Sequence, residues 1–413
     1  MPCQHAGPAA CRPTFEIADV FRAHGEAYRQ RHALSGGQFK AMRDIEVCRT
    51  EVMGGHLDSC PDSACGFERP AYNSCRNRHC PKCQSLAQAR WIEQRIARLL
   101  PVHSFHVVFT LPAELRSLVR QNRRRLFSLL FEAASRTLIE LAADPDRLGG
   151  GPGITCVLHT WTRKLEFHPH LHCIITGGGL SPSGDRWLSL GRRYLFPVEV
   201  LGALFRGKFI AGLRRLQEQG LLDFSGPAAR YVDPDTFARL VDRLYRTSWV
   251  VYAKRPFAGP ELVFRYLGRY THRVGISNQR IQAIDQDGVR FATKDGRSIT
   301  LTHEVFIRRF LDHVLPSGFV KTRHFGLYAA SNVHTKLATA RALLTSASLP
   351  PITRACTPTP EPLPWHELLL KLTGRDPTRC PRCGQKLQCR PLPRVILPRS
   401  AGPTLRHTYQ DTS

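Results

Sequence analysis

HPHLHCIITGGG, residues 168–179, carries three alternating histidines ahead of an apolar run and three glycines. A short run of β-branched and apolar residues of this kind reads as a strand. Side chains alternate along a strand, so His168, His170 and His172 project from one face, while Leu171 and Cys173 face the other way into a core. Just upstream, GITCVLHTW (153–161) reads as a partner strand, joined through a short RKLEF turn region. A hairpin centred near residue 165 brings His159 beside His170 and His172. Imidazoles presented together are metal ligands first and general bases second. Three could hold one divalent cation and leave positions open for substrate oxygens. The plainer alternative is a trio of hydrogen-bonded surface histidines.

Outward from this hairpin, SFHVVFTLP (104–112) reads as another buried strand, closed by a proline. LAQARWIEQRIARLL (86–100) has Ile92, Ile96 and Leu99 at helical spacing and stops at Pro101. Residues 113–142 read as one long helix with a stripe through Leu126, Leu130, Ala134 and Leu138. Further helices are expected at 198–218, 235–247, 261–273 and 303–315, with a β-meander over 276–302 turning at DQDG and KDGR. Beyond about residue 345 prolines multiply, which reads as a linker.

The whole chain has 413 residues and a formal net charge of +26, from 59 Lys and Arg against 33 Asp and Glu. Such a balance points to a polyanionic partner, most simply nucleic acid. A hydrophobic fraction of 42% excludes a wholly disordered or collagen-like chain. No apolar run approaches the roughly 18 residues of a spanning helix, and the N-terminus lacks a secretory stretch. A soluble, cytoplasmic protein with no membrane partner is the expectation. Scattered basic groups, among them His24, His32, His103, His106 and the arginines of 306–325, are candidate DNA contacts or plain solvated surface.

Of 14 cysteines, eight lie in residues 1–83 and three in 380–389. In a reducing compartment such clusters are more often metal sites than disulfides. Cys60, Cys65, Cys80 and Cys83 form two pairs with 14 residues between them, the pattern of a zinc ribbon. Cys75 and His79 are alternative ligands, or a second zinc could recruit them with His56 or Cys48. Cys380-Pro-Arg-Cys383-Gly is half a knuckle, with Cys389 a third candidate ligand. Cys156 and Cys173 read as small core residues.

FRYLGRYTHR (264–273) sets Tyr266 and Tyr270 four residues apart, on one helical face. A tyrosine hydroxyl can attack phosphorus and store the bond energy as an ester, and two could take two strands in turn. Arg265, Arg269, His272 and Arg273 surround the pair and could bind DNA phosphates. Tyrosines at this spacing are also ordinary half-buried packing residues.

Four blocks in one order, NSCRNRHCPKCQ, HPHLHCIITGGGL, YLGRYTHRVGISNQRI and EVFIRRFLDHVLPSGFVKTRHFG, resemble the two-tyrosine rolling-circle transposases of bacterial insertion sequences. These belong to the wider class of His-hydrophobe-His endonucleases, and the resemblance runs from about residue 15 to about 345. It implies that His170-Leu171-His172 is the metal motif and that Tyr266 and Tyr270 are the nucleophiles. From the wider superfamily it implies a third histidine on the neighbouring strand, at His159, with His168 the alternative. It also implies an α+β fold: a ferredoxin-like antiparallel sheet with helices on one face, plus an N-terminal zinc ribbon and a small C-terminal Cys knuckle. The family usually has two residues inside its first Cys pair, where this chain has four.

The organisation expected is a helical lead-in (1–47), a zinc-binding domain with its following helix (48–100), a His-hydrophobe-His nuclease and transposase domain (101–345), a Pro-rich linker (346–379), and a Cys knuckle with basic tail (380–413). The expected activity is nicking and rejoining of single-stranded DNA through phosphotyrosine, with Mg²⁺ or Mn²⁺ at the histidines and Zn²⁺ at the cysteines. Host helicase and replication proteins are expected partners, at the bacterial nucleoid. A replication initiator or relaxase would share this chemistry, and an acidic-triad transposase would use carboxylates and two metals instead. A non-catalytic zinc-dependent DNA-binding regulator would explain the charge and cysteines alone.

Overall fold

The computed structural model describes residues 13–96, 98–191, 195–254, 275–293, 296–346 and 363–395. Helices α1 (Ile17–Arg31) and α2 (Gly36–Glu46) precede a hairpin, β1 (Gly55–Ser59) and β2 (Glu68–Tyr72), and then α3 (Ser85–Ile96). Next come β3 (Ser104–Thr110), α4 (Arg116–Gln121), α5 (Arg123–Ala143), β4 (Gly151–Trp161), β5 (Phe167–Leu180) and β6 (Trp187–Ser189). Helices α6 (Val198–Glu218) and α7 (Pro234–Arg246) lead to β7 (Val251–Lys254). The meander is β8 (Ile281–Asp285), β9 (Gly288–Ala292) and β10 (Ser298–Leu301), followed by α8 (His303–Leu311), β11 (Thr322–Gly326), α9 (Lys336–Ser346), α10 (Trp365–Thr373) and β12 (Gln388–Leu392).

The main sheet runs β11-β4-β5-β3-β7, with β6 added to the far end of β5, and its neighbouring strands are antiparallel. Alternation sorts its residues onto two faces. One face carries Phe105, Val107 and Phe109 of β3, Cys156 and Leu158 of β4, and Leu171, Cys173 and Ile175 of β5, all fully buried. It packs in a single core with the apolar sides of α5, α6 and α7, including Leu126, Leu130, Ala134 and Leu138. Each such side chain contributes about 1.5–3 kcal/mol on leaving water. The fold is thus α+β, helices against an antiparallel sheet.

The single helix expected over 113–142 is broken at Asn122, whose backbone leaves the helical region (φ −112°, ψ 36°). The Asn122 side chain turns outward from the chain axis to bond both backbone groups of Asp223, at 2.7 and 2.8 Å. This tie fixes the break to the segment after α6.

The opposite sheet face is closed only part of the way. At the far end, Val157 and Ile174 are covered by Leu99 and Leu100 from the segment after α3, Leu327 just after β11, and Leu337 and Leu344 of α9. Gly178 and Gly179 allow close approach there: a Cβ on Gly178 would lie 2.5 Å from the Leu188 carbonyl oxygen, and one on Gly179 2.8 Å from Gly151. At the near end the burial of β5 alternates residue by residue, with His168, His170 and His172 half-buried and their neighbours buried.

The tip of the β4–β5 hairpin docks into a second core, formed by α1, α2, the meander and α8. Leu165 at that tip adopts φ +58°, yet its side chain is wholly buried in this core. The left-handed backbone costs a non-glycine residue roughly 1–2 kcal/mol, and burial of the side chain offsets it.

Two segments differ from the expected organisation. The span 346–379 contains α10, which rests on α3 with Lys371 Nζ 2.8 Å from Glu93. The zinc-binding segment 48–100 is completed from the other end of the chain, because β12 pairs antiparallel with β1 from Gly55↔Leu392 to Ser59↔Gln388.

Leu165→Ala should destabilise the protein by about 2–5 kcal/mol. Since glycine escapes the left-handed penalty that alanine keeps, Leu165→Gly should unfold at no lower a urea concentration than Leu165→Ala, although it removes one carbon more.

Candidate active site

The register of β4 against β5 places His159 directly opposite His170, with His172 two pairs further along opposite Val157. All three project from the partly open face. Their ring centroids are 5.5 Å (His159–His170), 4.3 Å (His159–His172) and 5.0 Å (His170–His172) apart. One nitrogen from each lies within 4.8 Å of the others, and among the described residues no carboxylate joins the group. His168 shares the face but lies outside the group.

The imidazoles are oriented from behind. His170 Nδ1 donates to the His168 carbonyl at 2.7 Å, and His172 Nδ1 is 2.8 Å from His106 Nε2. His106 is buried on β3, opposite Ile174, on the same face. With both Nδ1 atoms engaged by the protein, an ion held by His170 and His172 would be bound through Nε2. Burial lowers the pKa of His159 well below the ordinary histidine value, with His172 and His170 adding to the effect, and lowers that of His170 to about 4. His159 and His170 are therefore neutral near pH 7, the form that binds metal. Three imidazole nitrogens on rigid strands fit a divalent cation with open positions.

The cysteines gather in two groups, and neither is the Cys60, Cys65, Cys80, Cys83 set expected from spacing. Cys48, Cys75, Cys80 and Cys83 form one, and Cys60, Cys65, Cys380 and Cys383 the other. In the first group Cys75 Sγ is 3.7 Å from Cys83 Sγ, and the backbone N–H groups of Cys75 and Asn77 donate to Cys48 and Cys75 sulfurs. Tetrahedral zinc with Zn–S bonds of about 2.3 Å requires sulfurs about 3.8 Å apart, so the donor set suits it. The alternative ligand His79 is occupied elsewhere: its Nε2 accepts from Leu315 N–H and its Nδ1 donates to Asn77. Cys389 lies with His56 and Asp58 rather than with Cys380 and Cys383, because β12 seats it opposite Asp58. Cys156 and Cys173 are a buried cross-strand pair in the main core.

The family profile described as "Putative transposase" matches residues 153–336, and that described as "Transposase zinc-binding domain" matches residues 20–111. A relative from Sinorhizobium fredii, "Putative transposase y4qJ", is 45% identical over 377 residues, covering 90% of this chain and 93% of the relative. The chain belongs to the two-tyrosine rolling-circle transposases of insertion sequences. The transposase for insertion sequence element IS801 of Pseudomonas savastanoi pv. phaseolicola is 28% identical, over 86% of this chain and 85% of its own length. Among solved structures, a metal-bound conjugative relaxase TrwC in complex with OriT DNA is 15% identical over 40% of this chain and 70% of its own, with a TM-score of 0.22, too low to bear on this fold.

In the transposase, Tyr266 and Tyr270 lie outside the described residues, as do Arg265, Arg269, His272 and Arg273. Two residues near the histidines carried no distinctive sequence signal. His106 had been one of several scattered basic groups, yet it is buried and supports His172. Lys321 lies within the block EVFIRRFLDHVLPSGFVKTRHFG but belongs to no motif of its own. Its carbonyl accepts from Leu158 N–H beside His159, and burial lowers its pKa to about 7, with Arg78 adding to the effect. Further along the same face, about 13 Å from His159 by strand rise, a pocket is lined by Thr155, His324, Arg95 and Arg98. No helix among the described residues is long and apolar enough to cross a membrane.

Two histidines away from the group, His313 buried and His324 half-buried, set a pH dependence. His313 accepts from the Thr160 hydroxyl and donates to the Leu165 carbonyl, and burial holds its pKa down to about 3. Burial, then Arg95 and Arg98, lowers that of His324 to about 4. Both stay neutral in the fold but take up a proton on unfolding below their ordinary value of 6.5. Their contribution is complete above pH 6.5 and is lost as pH falls toward 4. Urea midpoints in EDTA should therefore fall steadily from pH 7 to pH 5, and less steeply in His313→Gln; a flat profile would contradict the neutral buried rings.

Proposed function

We propose that this transposase nicks and rejoins single-stranded DNA at the three-histidine group, mobilising its insertion sequence through phosphotyrosine intermediates. The observation that carries the reading is the cluster of His159, His170 and His172 on paired strands, with His170 and His172 half-buried. A bound divalent cation, Mg²⁺ or Mn²⁺, would polarise the scissile phosphate and offset the charge gathering on its oxygens. His106 and the His168 carbonyl hold the two motif rings in position for that ion.

Tyr266 or Tyr270 supplies the attacking oxygen. Its O–P bond forms as the P–O3′ bond breaks; the tyrosine proton leaves and the departing 3′ oxygen gains one. The products are a 5′-phosphotyrosine and a free 3′-OH, so the bond energy is kept for rejoining. The second tyrosine can take a second strand in turn. Arg265, Arg269, His272 and Arg273 would hold neighbouring phosphates, and Arg95 and Arg98 offer a further cationic patch on the same face. The net charge of +26 supplies salt-dependent affinity for DNA. Cys48, Cys75, Cys80 and Cys83 would hold a structural Zn²⁺ in the matched zinc-binding region. Strand separation would fall to host helicase and replication proteins at the nucleoid.

The test is adduct formation with labelled single-stranded DNA from the ends of the element, resolved on denaturing gels. A Mn²⁺-dependent covalent adduct is expected, absent in EDTA, in the Tyr266→Phe/Tyr270→Phe double variant and in His170→Ala. Cleavage without an adduct, or binding without cleavage under any metal, would overturn the reading. His106→Ala, which leaves the three rings in place but removes the support of one, should weaken Mn²⁺ binding about 10–100-fold by titration calorimetry.

A further inference from the structure

Once Cys48, Cys75, Cys80 and Cys83 are grouped, Cys60 and Cys65 are two donors short of a closed site. The missing pair comes from more than 300 residues away, where Cys60 Sγ lies 3.4 Å from Cys383 Sγ and Cys65 Sγ 3.7 Å from Cys380 Sγ. Cys380 and Cys383 lie beyond both stretches of the chain that match a transposase profile. We propose that Cys60, Cys65, Cys380 and Cys383 form a second structural zinc site, which clasps the C-terminal segment to the N-terminal hairpin.

Four observations converge on it. The sulfur separations are far above the roughly 2.05 Å of a disulfide and near the edge of about 3.8 Å that a ZnS₄ tetrahedron requires. Each half is a loop with glycine just after its second cysteine, and both glycines adopt left-handed backbone, Gly66 at φ +55° and Gly384 at φ +78°. The two loops also touch outside the thiols: Arg382 donates to the Cys65 carbonyl at 3.1 Å and stacks over the Phe67 ring. Finally, β12 pairs with β1 across five residues, bringing the same two segments together independently. Four thiolates crowded without a cation would repel one another, and zinc removes that repulsion. This proposal stands apart from the cleavage chemistry, since none of the four cysteines lies on the histidine group's strands.

Elemental analysis of the full-length protein, purified with reductant, should give two zinc ions per chain. Cys380→Ser/Cys383→Ser should give one, and Cys389→Ser should still give two. The wild-type chain provides a readout that does not depend on a variant folding. Cys383 and Cys389 are both exposed, yet with zinc bound Cys383 should alkylate on the order of ten-fold more slowly than Cys389, as a metal-held thiolate does. Chelation should release Cys60, Cys65, Cys380 and Cys383 to the reagent together. One zinc in the wild type, iron in its place, or equal alkylation of Cys383 and Cys389 in the zinc-loaded protein would overturn the proposal.

Discussion

The antiparallel register that sets His159 against His170 is the constraint on which the remainder of the structure depends. Side chains on paired strands alternate, so one register assigns Leu158, Leu171 and Cys173 to the helix-covered core and His159, His170 and His172 to the other face. A slip by one residue would bury three imidazoles in that core and turn its apolar side chains outward. The core and the histidine group therefore hold one another in place. The cost of moving either is the burial of a whole layer of Phe, Leu and Val side chains.

The hairpin is anchored at both ends. At its tip, Leu165 tolerates a left-handed backbone because its side chain completes the second core, and His313 ties the Leu165 carbonyl to Thr160. At its far end, glycines in β5 let β4 and β6 approach closely. Between these anchors His170 and His172 are half-buried, and the rings sit on rigid backbone. Buried support from His106 gives His172 a fixed orientation.

The N-terminal hairpin β1–β2 illustrates a different solution. Strand β2 is largely exposed, with only Ala71 partly buried, and β1 is half-buried, with Asp58 its one buried position. A two-stranded hairpin of this kind is marginal in water. The thiol groups beside it and the added strand β12 supply the restraint that an apolar core supplies elsewhere. Small polar modules commonly depend on metal in this way.

Much of the architecture was legible in residue periodicity. The alternating histidines and the apolar runs of β3 and β4 identified the strands, the stripe through Leu126, Leu130, Ala134 and Leu138 identified α5, and a hairpin centred near 165 put His159 within reach of His170. These are local regularities, fixed by the geometry of strand and helix. The grouping of the cysteines was not legible, because spacing along the chain reports only neighbours that are near in sequence. Cys48 sits 27 residues before Cys75, and Cys60 more than 300 before Cys380. The break at Asn122 and the role of His106 likewise depend on partners in distant segments, Asp223 and His172. The sequence by itself determined which residues share a strand or helix face and what chemistry they carry. Only the tertiary structure decided which faces meet, because that choice is set by packing and pairing between segments far apart in the chain.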